Sequence, residues 1–247
     1  MTRKTSVDLM YKKTKYSHPF LHSRFPNLYD FVYEVILKLC NLKFVLRNLK
    51  YISRVKTTNT IINEYEKIIN SFVDIRNLEY PLDFAISYKG GLFVYTYLRL
   101  KRPNVVLETG VANGYSTGII LEALNKNNHG KLYSVEVNKN VGGLLSKINK
   151  SRWILNIDKP QRGLIATLCK LKNIDVFLHD SDHSYENMKF EFNSVIPKLS
   201  TCGQIMSDDI EGNSAFIELY SKLYKNNHNV KLTIIPSLRK TFGYITV

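Results

Sequence analysis

The chain has 247 residues and ordinary apolar content, 44% hydrophobic, which suits a soluble catalytic domain with an N-terminal extension. Its formal net charge of +14 is uneven: the first sixty residues hold twelve Lys and Arg against three Asp and Glu, so the basic character belongs to an arm rather than to the whole protein. Cys40, Cys169 and Cys202 are scattered, with no CxxC pair, which excludes a disulfide scaffold and a cysteine-based structural metal site and leaves each as a small buried side chain.

The basic arm fits a solvated or oligomer-forming segment, a membrane-surface contact or a nucleic-acid contact, and it carries no zinc-finger spacing or other sharp nucleic-acid signature. Asp8, Lys12, Lys13 and Lys15 interrupt any early apolar run, so the start does not read as a secretory signal. A cytoplasmic protein is expected. The stretch 31–46 is broken by Glu34, Lys38 and Lys43 and is too interrupted to span a bilayer. It reads as an amphipathic helix, packed on the main domain or lying on a membrane.

In chain order, 1–27 is weakly patterned. Residues 28–54 are helical in character, with Val32, Val35, Ile36 and Leu39 at three- and four-residue spacing. Residues 57–60 read as a linker or cap, and 61–72 as a short helix. Gly90 and Gly91 break or bend the next segment before a helix over 92–100. From Pro103 the signals alternate: strands over 104–108, 131–137, 152–157, 174–178 and 204–207, with helices over 115–124, 161–171, 185–199 and 214–224. Strands over 230–235 and 242–246 close the chain. This rhythm predicts an α/β, Rossmann-like, open and mostly parallel seven-stranded sheet, with helices on both faces and an antiparallel C-terminal strand. Residues 1–80 form a basic, largely helical extension and 81–247 the main domain.

Ligands of such sheets sit beyond the C-terminal strand ends, where the chemistry-bearing motifs fall. Gly110 and Gly114 in ETGVANG allow a tight turn with close backbone approach to a ligand. Their GxxxG spacing is neither a dinucleotide fingerprint nor a phosphate-binding P-loop, which argues against a nicotinamide oxidoreductase. Glu136 ends the second strand, where a carboxylate can accept from vicinal ribose hydroxyls. Asp158 follows the third strand and can accept from an adenine amino group or cap the helix near Pro160. Asp180, Asp182 and His183 follow the fourth strand, and Asp208 and Asp209 the fifth. Close carboxylates repel unless protonated, paired or metal-bound, so this cluster reads as a divalent-metal site or as helix caps, capping being favoured for Asp182. His179 alternates to the other side of its strand and reads as a core histidine. Trp153 reads as packing, and Tyr185 as packing or a rim hydrogen bond.

The run ETGVANGYS followed by VEVN resembles the first two motifs of class I S-adenosylmethionine-dependent methyltransferases, from about residue 87 to the end. It is similar to the small-molecule O-methyltransferases of the catechol and caffeoyl-CoA type, and to a related group of macrolide-sugar and cephalosporin-hydroxylase-like proteins. The resemblance implies S-adenosyl-L-methionine as cofactor. Gly110 and Gly114 would border its methionine portion, Ser116 would contact its carboxylate, Glu136 would hold the ribose and Asp158 would lie near adenine, with Glu108 in the same cofactor set. It implies Mg²⁺ or another divalent cation on Asp180, Asp208 and Asp209, lowering the pKa of a substrate hydroxyl. His183 stands where catechol-type enzymes carry a lysine, and DSDHSYE resembles the D-G-D-H-S-Y run of the second group, with Ser181 replacing glycine. His183 is therefore the candidate base beside Asp180 or a residue that positions substrate, with a metal ligand and a structural polar residue as the other readings. The expected substrate is a small hydroxylated molecule, such as a sugar or secondary metabolite, and the chain is expected to form homo-oligomers. An RNA methyltransferase using the basic arm and a noncatalytic binding protein on the same fold are the alternatives.

Overall fold

The computed structural model describes residues 38–39, 41–72, 78–81, 84–237 and 240–247. The expectations for residues 1–37, including the apolar spacing at Val32, Val35 and Ile36, and for Cys40 lie outside the described residues. The elements follow the predicted rhythm: α1 (Asn59–Ser71), α2 (Tyr88–Lys101), β1 (Val105–Thr109), α3 (Tyr115–Asn127), β2 (Lys131–Glu136), β3 (Trp153–Ile157), α4 (Pro160–Lys170), β4 (Ile174–His179), α5 (Tyr185–Val195), β5 (Leu199–Ser207), α6 (Ala215–Asn226), β6 (Lys231–Pro236) and β7 (Thr241–Thr246).

The seven strands form one sheet in the order β3-β2-β1-β4-β5-β7-β6, with β7 antiparallel to both neighbours. Alternation along each strand feeds two cores. Val106, Val176, Leu178 and Met206 face α1, α2 and α3, whereas Leu107, Phe177 and Ile205 face α4, α5 and α6. Both faces are covered, which is why β1 and β4 read as near-continuous apolar runs.

Gly90 and Gly91 lie inside α2 and do not break it, contrary to the sequence expectation. A Cβ on Gly91 would lie 2.3 Å from the Tyr65 hydroxyl, so the glycine permits close approach of α1 rather than a bend. Ser87 caps α2 by accepting from Gly90 N, and Thr58 caps α1 by accepting from Ile61 N, which places the expected cap inside 57–60. Ile61, Tyr65 and Ile68 of α1 are buried with α2 and α3, so this part of the extension belongs to the main core.

The chain before α1 also touches the sheet. Ile52 bridges to Ile234 in parallel, and Ser53 N donates to Ile234 O, covering the β6 edge. Residues 41–47 are helical, and Asn41 is buried. Asn41 Nδ2 donates to Ser237 O at 2.8 Å, and its Oδ1 accepts from the Thr241 hydroxyl. One side chain thus ties the extension to both ends of the β6–β7 turn. Leu39, Leu42, Leu46 and Leu49 are exposed. Among the described residues no helix is long and apolar enough to cross a membrane. Cys169 and Cys202 are exposed free thiols, so the expectation of buried cysteines is corrected for both.

Candidate active site

The strand register brings the motif-bearing ends together. Thr109 pairs with Val135 on one side and His179 on the other, His179 pairs with Ser207, and Glu136 pairs with Ile157. The segments that follow β1, β2, β4 and β5 therefore emerge side by side at one edge. The chain reverses direction across the sheet between β1 and β4, the crevice where open α/β sheets bind ligands.

The turn after β1 is shaped by backbone sterics. Gly110 has φ +85°, and a Cβ there would lie 2.1 Å from the carbonyl oxygen of Asp180. The glycine lets the β1 and β4 loops touch. Gly114, at φ +87°, opens α3. Ala112 has φ +46°, an uncommon conformation for a residue with a side chain, which the surrounding loop holds in place.

Glu136 holds this turn from β2. Its Oε2 accepts from Val111 N at 2.9 Å and Ala112 N at 3.1 Å, while Oε1 accepts from Val137 N at 2.6 Å and Asn138 N at 3.1 Å. Four backbone donors thus converge on one carboxylate. Asn113 and Tyr80 clasp each other through two bonds: Tyr80 N to Asn113 Oδ1, 3.1 Å, and Asn113 Nδ2 to Tyr80 O, 2.7 Å. They close the segment before α2 over the turn. Burial raises the Tyr80 phenol above its ordinary value, with Glu136 adding to the shift against the hydrogen bond to Asn138.

Glu108 lies beneath the turn and is fully buried. It accepts from the hydroxyls of Ser116 (2.8 Å), Thr117 (2.8 Å) and Ser134 (2.7 Å), and Ser134 also accepts from the Trp153 indole at 2.9 Å. Burial pushes the Glu108 carboxyl up to about 7, against these three hydroxyls. A folded-state value above the ordinary carboxylate value means that the fold holds this proton more tightly than the unfolded chain does. The associated stability is fully present below the ordinary value and is lost as pH rises through about 7, a loss of roughly 3 kcal/mol once ionisation is complete. Asp208 titrates in the same window, so the comparison needs a variant. Glu108→Gln is expected to melt with a shallower decline than wild type between the ordinary carboxylate value and about pH 7, and in parallel with it above that, read by thermal denaturation across pH. Parallel pH profiles would contradict the buried-proton reading.

The second half of the site is acidic. Asp180 and Asp208 are buried, and Asp209 is 28% exposed in the left-handed region, φ +49°. His183 Nε2 faces Asp180 Oδ1 at 3.9 Å and Asp209 Oδ2 at 3.8 Å, and its Nδ1 has no partner among the described residues. Burial lowers the imidazole to about 4, so His183 is neutral near pH 7. Burial and the facing Asp208 carboxylate push Asp180 well up, while burial and Asp209 push Asp208 up to about 7. Burial and Asp209 also raise Glu211, whose Oε2 accepts from Thr241 N at 3.0 Å.

A lysine enters this cluster. Lys240 Nζ lies 3.3 Å from Asp208 Oδ2 and 3.4 Å from Asp209 Oδ2, with its side chain only 17% exposed. Burial alone would lower its pKa, but the facing Asp208, Asp209 and Asp180 carboxylates outweigh that and hold it well above its ordinary value.

Comparison with known proteins accords with this edge. The profile of a family described as "Methyltransferase domain" matches residues 107–210, which runs from β1 through the acidic loop after β5. The fold is similar to that of the O-methyltransferase TomG from Streptomyces achromogenes, solved with SAM, at 14% identity and TM-score 0.55, over 84% of this chain and 95% of that one. It is also similar to an O-methyltransferase from Bacillus cereus solved with SAH, at 14% identity and TM-score 0.53, over 83% and 94%. Cofactor-bound Rv0187 from MTB aligns at 16% identity and TM-score 0.54, over 77% and 90%. The chain has the class I S-adenosylmethionine-dependent methyltransferase enzyme fold. Comparison with curated proteins found no match.

Within this methyltransferase fold the expected site residues fall into two groups. Glu108, Gly110, Gly114, Ser116 and Glu136 form the turn after β1 and its supports, although Ser116 is buried and its hydroxyl is directed to Glu108. Asp158 is tied to the first group by its backbone N, which donates to Glu136 O at 3.0 Å, but its side chain does not cap α4. It accepts from Arg162 Nε at 2.8 Å and from Lys159 N at 2.7 Å, and these bonds hold its carboxyl below the ordinary range. Asp180, His183, Asp208 and Asp209 do come together.

Two expectations for the acidic cluster meet a different arrangement. Among the described residues no group of three or more His, Cys, Asp or Glu is arranged to hold a metal ion. The Asp180, Asp208 and Asp209 set therefore does not fit a metal, because an ammonium already stands against two of its three members. Asp182 does not cap α5. Ser184 does, accepting from Asn187 N, while Asp182 accepts from Ser184 N and Oγ and so steadies the cap. Asp182 is thereby engaged with Ser184.

His179 is a core histidine, as expected. Its Nδ1 meets Glu191 Oε2 at 2.7 Å, and its ring lies edge-on to His183 at 5.0 Å. Burial would raise the Glu191 carboxyl, yet His179, Thr109 and Ser181 outweigh it and hold the group below its ordinary value. Glu191 escaped sequence reasoning because a glutamate in mid-helix reads as a solvated face. Lys240 escaped because its place depends on β7 lying between β5 and β6.

Proposed function

We propose that this protein transfers the methyl group of S-adenosyl-L-methionine to a hydroxyl of a small molecule, such as a sugar or secondary metabolite. Residues 81–247 carry the reaction and 1–80 form the extension. The observation that carries this reading is the close approach of Gly110, in the Glu136-clamped turn, to Asp180, which His183, a neutral imidazole, faces together with Asp209. The O-methyltransferase neighbours supply the reaction class by likeness of fold.

The Gly110–Gly114 turn borders the methionine portion of the cofactor, with Ser116 and Glu108 behind it. Glu136 takes the ribose hydroxyls in exchange for its two longer amide bonds, to Ala112 and Asn138. Asp158 lies toward the adenine. The substrate oxygen attacks the sulfonium methyl carbon in line as the carbon–sulfur bond breaks, giving S-adenosylhomocysteine. His183 takes the hydroxyl proton. Its pKa of about 4 keeps it in the base form from weakly acidic pH upward.

Divalent-metal assistance, expected from the sequence, has no place in this scheme, since the three carboxylates are not arranged as ligands. An RNA substrate lacks support: the neighbours named above are O-methyltransferases where their reaction is stated. The test is turnover of methyl-labelled S-adenosyl-L-methionine against hydroxylated sugars, phenols and bulk RNA. Labelled methyl ether on a small molecule is the expected product. Label in RNA, or binding with no transfer to any acceptor, would favour the alternatives.

A further inference from the structure

We propose that Lys240 is the resident cation of this site: its ammonium occupies the position toward Asp208 and Asp209 where a divalent metal was expected, and the site handles its substrate hydroxyl without one. The proposal rests on the methyl-transfer reading above but concerns a residue outside the motifs that carry it.

The first observation is position. The antiparallel register sets Ser207, the last residue of β5, opposite Gly243, and Pro236 opposite Thr241. The residue that leads into β7 therefore arrives beside the C-terminal end of β5, where Asp208 and Asp209 emerge. The second is fixation. Ser237 N donates to Lys240 O at 2.9 Å, the Ser237 hydroxyl donates to the same oxygen at 2.6 Å, and Lys240 N donates back to Ser237 Oγ at 3.3 Å. Asn41 then ties Ser237 and Thr241 to the extension, and Glu211 accepts from Thr241 N. A lysine on a flexible stem is thus mounted on a braced turn.

The third observation is what remains open. Lys240 has three N–H donors, and two acceptors among the carboxylates account for its contacts at 3.3 and 3.4 Å. Among the described residues, Asp208 Oδ1 and Asp209 Oδ1 are buried acceptors without partners, and His183 Nδ1 is likewise unpartnered. A hydroxylated ligand meets this set: one hydroxyl oxygen accepts from the ammonium while hydroxyl protons go to the unpartnered oxygens. Adjacent hydroxyls, as on a sugar, match two acceptors contributed by consecutive residues. A divalent metal drawn to these two carboxylates would instead meet an ammonium that already stands against both Oδ2 atoms.

The experiment is a titration of the full chain with Mn²⁺ alone, followed by electron paramagnetic resonance. S-adenosylhomocysteine binding is measured in parallel by calorimetry. Wild type is expected to bind no Mn²⁺ at millimolar concentration. Lys240→Met is expected to gain a Mn²⁺ site that Asp208→Asn in the same background removes, while Lys240→Arg excludes Mn²⁺ as wild type does. Wild-type binding of Mn²⁺ that Asp208→Asn abolishes would overturn the proposal, as would a folded Lys240→Met protein that gains no site. If Lys240→Met does not fold, the wild-type titration and Lys240→Arg decide. Failure of S-adenosylhomocysteine to bind would count against the methyltransferase reading alone, because the Mn²⁺ result does not depend on it.

Discussion

Glu136→Ala is expected to weaken S-adenosylhomocysteine binding by about a hundredfold or more and to lower thermal stability as well. The carboxylate accepts from four backbone amides, two of them in the turn after β1. Each buried donor left without a partner costs roughly 1–3 kcal/mol, so losing even two such bonds unfastens the turn that borders the cofactor. Calorimetry reads the affinity. A cycle with an S-adenosylhomocysteine analogue lacking the ribose 2′-hydroxyl separates the two roles of this residue. If Glu136 holds the ribose, wild type discriminates against the analogue and the variant does not. If it only clamps the turn, both proteins bind the two ligands in the same ratio. Unchanged affinity for S-adenosylhomocysteine in the variant would remove Glu136 from the cofactor site.

His183→Ala is expected to lower kcat by roughly 10²–10⁴-fold while S-adenosylhomocysteine still binds. The imidazole faces Asp180 and Asp209 in the acidic half of the site, so its loss is expected to fall on the proton transfer and not on the cofactor. The pH profile gives an independent reading. The folded-state pKa of about 4 lies below the ordinary histidine value, so the base form prevails down to weakly acidic pH. Turnover that depends on His183 is expected to fall only as pH drops through about 4 and to stay flat with respect to this group above it. A kcat that rises with a midpoint near the ordinary histidine value would contradict the buried, neutral imidazole. Loss of both turnover and cofactor binding in His183→Ala would give the residue a structural role.

The sheet was legible in the sequence because its information is local. Strands such as Val105–Thr109 and Ile174–His179 are short apolar runs bounded by turn signals, and local signals such as Pro160 at the head of α4 and the Ser184 cap of α5 open helices between strands. The cofactor half was legible for the same reason: Gly110, Gly114 and Glu136 each lie at a strand end, and the register of parallel neighbours aligns those ends. The chemical half was only partly legible. Asp180, Asp208 and Asp209 meet as their strand ends require, but their charge balance depends on a residue about thirty positions further on. Nothing in the spacing of SLRK announces that Lys240 will reach them. That follows only once β7 is inserted antiparallel between β5 and β6. Gly90 and Gly91 show the opposite limit, since local propensity predicts a break where tertiary packing of Tyr65 requires a surface without side chains.

The most direct test of the central claim is calorimetric titration of S-adenosylhomocysteine into the wild-type protein in the presence of a chelator. Saturable binding at one site per chain, lost in Glu136→Ala and kept in His183→Ala, is the predicted result. No binding to the folded wild-type protein, or binding that appears only when a divalent cation is added back, would contradict it.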